Sequence, residues 1–97
     1  MISNMGQVRS LKGAGQLIID GDEFDGVSYA IFVSIADGEK IQWGRVRASP
    51  AVLWKFSDAG GGVLRLEDGT EVDIVHLSTD VAESVAGISV NGPLPGF

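Results

Sequence analysis

The chain has 97 residues, 44% of them hydrophobic, with 13 acidic and 7 basic side chains, one histidine and a formal charge of −6. That is enough chain for one domain with a modest core that needs no disulfide or metal. The absence of cysteine excludes a disulfide framework, thiolate catalysis and thiolate metal sites, and the acidic balance argues against general nucleic-acid affinity.

Residues 1–12 show weak periodicity (Met5, Val8, Leu11) and read as an N-terminal tail or capping segment before a single β domain over 13–97. Gly13-Ala14-Gly15 leads into a short strand at Gln16–Asp20, and Asp20–Gly26 reads as an acidic turn. Val27–Ile35 is the clearest single strand. Val27, Tyr29, Ile31, Val33 and Ile35 fall on one face, and Ser28, Ala30, Phe32 and Ser34 on the other.

Asp37-Gly38 then marks a hairpin. A two-residue loop would set Val33 against Gln42 and Ile35 against Lys40. A three-residue loop, Ala36-Asp37-Gly38, sets Val33 against Ile41, Ile31 against Trp43 and Tyr29 against Arg45. Opposed residues share a face, so matching apolar with apolar favours the three-residue loop.

Ser49 and Pro50 suit the N-cap and first position of one short helix over 50–59. Val52, Leu53, Phe56 and Ala59 lie on one side, and Gly60 can stop it. A strand through 52–56 is the rival reading. Asp68-Gly69 marks a further hairpin, and a three-residue loop, Glu67-Asp68-Gly69, pairs Leu66 with Thr70, Leu64 with Val72 and Gly62 with Ile74. It also sets Arg65 against Glu71 on the solvent face. Ser78–Ser84 reads as a polar loop, Val85–Val90 as a last strand, and 91–96 as an irregular tail. The expected fold is mainly β: a small antiparallel barrel or roll of five or six strands plus the short helix.

No run near the N-terminus has signal-peptide length, and no stretch approaches the roughly 20 apolar residues of a membrane span. The expectation is a cytoplasmic protein with no membrane partner. With one histidine, His76, and no cysteine, no zinc site of the usual ligand set can be assembled. His76 alternates with Ile74 and Val72, as a partly buried strand residue would. Gly13-Ala14-Gly15 and Gly60-Gly61-Gly62 fail as phosphate loops, and Gly26-Val27-Ser28-Tyr29-Ala30 fails as a nucleophile elbow. The motifs of the PilZ type of cyclic-dinucleotide-binding barrel are not met either. Arg45-Val46-Arg47 has the wrong spacing for its arginine pair, and Ala82 stands where its acidic or amide residue belongs.

Two clusters remain. Asp20, Asp22, Glu23 and Asp25 offer carboxylates of the kind calcium takes from a flexible loop. Phe24 and Ile31, however, occupy ligand positions of the EF-hand pattern, so they are weak metal candidates and a solvated acidic turn is the plain reading. Tyr29, Trp43, Arg45 and Arg47 share a face under the three-residue register, and arginine beside aromatic rings is a common partner-binding rim. The plain alternative is a core Trp43 with two arginines reaching to the edge.

Residues 40–57 hold four basic residues and no acid, together with Trp43, Trp54 and Phe56, whereas 13–39 hold six acids and no base. These features imply a non-catalytic interaction module with no cofactor, self-associating as a homodimer through part of 40–57 or docking on a partner protein. A small-ligand or cation-binding barrel is the second expectation.

Overall fold

The computed structural model describes residues 7–94. Its six strands are β1 (Gln7–Ile19), β2 (Asp22–Ala36), β3 (Glu39–Arg47), β4 (Gly61–Arg65), β5 (Glu71–Asp80) and β6 (Val85–Asn91). One helix, α1 (Pro50–Ala59), separates β3 from β4. The strands close a barrel in the order β1-β2-β3-β6-β5-β4, every neighbouring pair antiparallel. The expected small barrel with a helix at 50–59 therefore forms. It consists of two three-stranded meanders joined by α1 and sewn together along β3–β6 and β1–β4.

β1 begins at Gln7, so residues 7–12 of the segment expected as a tail are sheet, paired with β2; residues 1–6 lie outside the described residues. Alternation does not reveal this strand because two of its inward positions are glycines. A Cβ on Gly13 would lie 2.6 Å from the Tyr29 hydroxyl, and one on Gly15 would lie 2.1 Å from the Arg65 carbonyl oxygen. Both glycines let a ring or a neighbouring strand approach where a side chain would collide.

The hairpin joining β4 and β5 has the expected register, with Leu64 opposite Val72 and Arg65 opposite Glu71. The Gly69 N–H donates to the Leu66 carbonyl (2.9 Å), the Leu66 N–H donates to the Thr70 carbonyl (2.7 Å), and Gly69 has φ +92°. The hairpin joining β2 and β3 departs from expectation. Its loop has two residues, Asp37 (φ +52°) and Gly38 (φ +79°), and the register sets Val33 against Gln42, Phe32 against Trp43, and Tyr29 against Val46. The reason lies in β3. Its inward residues are Gln42, Gly44 and Val46, with Val46 buried, as is Ala48 just past its end, whereas Ile41 and Trp43 face outward. Another two-residue turn, Asp20-Gly21, joins β1 to β2, so the expected acidic turn shrinks to its first two residues and β2 starts at Asp22. Likewise β5 runs to Asp80, leaving only 81–84 as turn.

The core is the barrel interior. Leu17, Ile31, Val33, Leu64 and Ile88 are fully enclosed there. One end is sealed by α1, whose Leu53 and Phe56 are buried and which packs against β5, β4 and β1. The Ser49 hydroxyl accepts from the Val52 N–H at 3.4 Å, and Gly60 (φ +79°) turns its N–H onto the Phe56 and Ser57 carbonyls. At the other end β1, β2 and β3 run on past their neighbours. The molecule measures 49 Å along its longest axis, about the length of a 15-residue strand such as β2 at ~3.3 Å per residue. No helix among the described residues is long and apolar enough to cross a membrane.

Candidate functional site

The outward residues of the sheet are set by its register. Directly opposed residues share a face, so Ser10, Phe32, Trp43, Ser89 and Val75 form one outward row across five strands. The next row toward the open end is Val8, Ser34 and Ile41, and the next toward the helix is Lys12, Ala30, Arg45 and Gly87. Arg47 follows, beside Ser28 and Val85. Val8 is 65% exposed, Ile41 59%, Trp43 37% and Leu77, on β5, 61%. The outer face thus carries an apolar strip bordered by arginines.

The rings of Phe32 and Trp43 lie 5.9 Å apart, tilted by 31°, and the Arg45 guanidinium carbon sits 5.9 Å from the centre of the Phe32 ring. Such contacts hold a cation over the negative face of a ring. Arg47 donates to the Glu83 carbonyl at 2.9 Å, which fixes it against the turn before β6.

Trp43, Arg45 and Arg47 therefore come together as expected from their i, i+2 spacing, but Tyr29 does not join them. It is 5% exposed inside the barrel, where its hydroxyl accepts from the Glu67 N–H at 3.1 Å. The two-residue loop, by shifting the register one place, exchanges Tyr29 for Phe32 on the outer face. Trp54 is exposed, but on α1, which packs against β5, β4 and β1; Trp43 sits on β3, between β2 and β6. The basic segment 40–57 is thereby divided between two parts of the surface.

The acidic residues Asp20, Asp22, Glu23 and Asp25 do not converge. Among the described residues no group of three histidines or carboxylates is placed to hold a metal ion. Glu23 instead pairs with Arg65 at 2.9 Å, and Asp25 accepts from the Gln16 amide. Arg65 also pairs with Glu71 at 2.9 Å and donates to Gln16. This network crosses β2, β1, β4 and β5 over the seam where the barrel closes. Glu23 and then Glu71, by accepting hydrogen bonds from Arg65, push its pKa up from the ordinary value. The Asp68 carboxylate accepts from the Thr70 N–H at 2.9 Å, which holds it below the usual aspartate range.

His76 lies against α1, its ring edge-on to Phe56 at 5.4 Å, and its Nε2 meets the Thr79 hydroxyl at 2.6 Å. Thr79 is its one side-chain hydrogen-bond partner among the described residues. A cleft of about 360 Å³ opens at the barrel end away from α1, between Leu11, Tyr29 and Leu66 with Lys12, Glu67 and Asp68 at its rim. No motif or alternation marks its lining, because it is made by the divergence of β1 and β4, strands far apart along the chain.

No family model, curated protein or solved structure matches the chain.

Proposed function

We propose that the chain is a non-catalytic interaction module that docks through the outer face of β2 and β3, and that its partner is a second copy of itself. The observation that carries this reading is the outward pair of a half-buried Phe32 and an exposed Trp43, with Arg45 over the Phe32 ring, flanked by Ile41 and Val8. Aromatic residues and arginine at the centre of an apolar patch are the composition of binding hot spots. A basic rim on a chain of charge −6 meets, on another copy, a surface rich in carboxylates such as Glu71 and Asp73 on β5.

Light scattering at several hundred micromolar tests this. A dimer is expected that weakens as salt rises from ~0.05 to ~0.5 M, because the screening length falls severalfold. Arg45→Glu with Arg47→Glu should raise its dissociation constant while the far-ultraviolet spectrum stays unchanged. A chain that remains monomeric at low salt rules out the second copy as partner. The cleft beside Tyr29 supports a second reading, a small-ligand barrel, because it is concave, apolar-floored and rimmed by charge. Saturable shifts of Leu11, Tyr29 and Leu66 resonances with a small apolar compound would favour that reading.

A further inference from the structure

We propose that the free edge of β1 beside the barrel mouth is a strand-addition site for an extended peptide, one that carries an apolar residue with a basic residue next to it. β4 pairs with β1 only at Gln16, Leu17 and Ile18, and the chain then turns away at 67–69. From Ser10 to Gly13, β1 is paired with β2 on one side, and no strand pairs with its other edge among the described residues.

The direction of the edge groups follows from one bond. The Ala14 N–H donates to a Glu67 carboxylate oxygen at 3.2 Å, on the β4 side. Along an antiparallel strand each residue turns both backbone groups to the same side, and successive residues alternate. No register shift intervenes between residues 10 and 14. Ser10 and Lys12 therefore present N–H and C=O to the open edge, while Leu11 and Gly13 face β2. Glu67 occupies the position of the next ladder partner and stops further pairing with β4; a charged plug of this kind is how natural sheets end an edge.

The cleft supplies specificity. A residue of an added strand directly opposite Leu11 shares its face and points inward, into the space between Leu11, Tyr29 and Leu66. About 360 Å³ accommodates one large apolar side chain there. Toward the turn the added strand meets the carboxylates of Glu67 and Asp68, both exposed, so a cation belongs at that end. Backbone pairing with a pocket for one side chain is the recognition mode of strand-adding peptide modules. The site does not rest on the outer-face reading, and a chain that stays monomeric can still be tested for it.

The probe is a capped six-residue peptide, Lys-Val-Thr-Ile-Thr-Val, titrated to millimolar concentration into the full chain and followed by amide NMR. Expected are saturable shifts at Ser10–Gly13, Tyr29 and Leu66–Asp68, slower exchange of the Ser10 and Lys12 amides, and several-fold weaker binding when glutamate replaces the peptide's lysine. Of two peptides N-methylated at adjacent central residues, one should lose binding and the other keep it, since alternate amides face β1. Lys12→Pro removes an open-edge donor without touching the ladder to β2, and should stay folded and lose the peptide. No shifts at millimolar peptide, shifts confined elsewhere, or equal binding by both N-methylated peptides would overturn the proposal. So would concentration-dependent protection of Ser10 and Lys12 without peptide, which assigns the edge to a second copy. The N-methyl comparison needs no variant to fold.

Discussion

Gly69 is held at φ +92° in the turn that sets the register of β4 on β5, with its N–H on the Leu66 carbonyl. Nothing among the described residues lies within 4 Å of where its Cβ would be, so Gly69→Ala carries only a backbone penalty, about 1–2 kcal/mol. Denaturant unfolding should read that loss, and an unchanged midpoint would contradict the turn geometry. One residue earlier, Asp68 accepts the Thr70 N–H, and its carboxyl pKa is lowered in the fold. A depressed folded-state pKa means that this contribution to stability is present above the ordinary aspartate value and is lost as pH falls through the lowered one. Asp68→Ala should therefore narrow the gap between the melting temperatures at neutral and strongly acid pH. Asp68→Asn, which keeps an acceptor, should retain the turn but not the pH dependence.

At the scale of the element, α1 is where the sequence rules agree most fully. Cap, first-turn proline, apolar side and left-handed stop all fall where they are needed. Its work is done by Phe56, which is fully buried in the barrel core and also holds the His76 ring edge-on. Phe56→Ala removes the largest enclosed side chain and leaves a cavity, at a cost of about 3–5 kcal/mol. Urea titration measures this directly. A cost well under 1 kcal/mol would mean that the helix does not seal the barrel.

For the molecule as a whole, closure is thinnest at the seam. β1 and β2 pair at twelve positions but β1 and β4 at three, and the Arg65 network with Gln16, Glu23 and Glu71 spans that same place. Arg65→Met keeps the aliphatic stem and removes the charge and donors. It should speed hydrogen exchange at Gln16 and Ile18 more than at the β2–β3 ladder, with the global melt little changed. Uniform acceleration would show that the barrel opens only as a unit. The same thin seam, ending at Glu67, leaves one edge of β1 at 10–13 without a partner strand among the described residues.

Much of this was legible in the chain itself. The register at 66–70 follows from parity because both strands turn aliphatics inward, Leu64 and Leu66 on one side, Val72 and Ile74 on the other. The same reasoning misleads at 36–39, where β3 shows Ile41 and Trp43 to solvent and turns Gln42, Gly44 and Val46 inward. Trp43, Arg45 and Arg47 are recognisable together because alternate strand residues share a face whatever the register. Phe32, Tyr29 and Trp54 are not, since their neighbours depend on it or on where α1 packs. Hydropathy alternation reports the inner face only where inner side chains are large. At Gly13, Gly15 and Gly44 the close approach of a ring or a neighbouring strand demands the absence of a side chain, because a Cβ would lie 2.1–2.6 Å from a ring hydroxyl or a neighbouring carbonyl. The local pattern thus determined the helix, the 67–69 turn and the mainly β character, but not the length of the 36–38 loop or the extent of β1, β2 and β5. Only the pairing of β1 with β4 and of β3 with β6, strands distant in sequence, decided which faces are interior, where the cleft opens and which edge stays free.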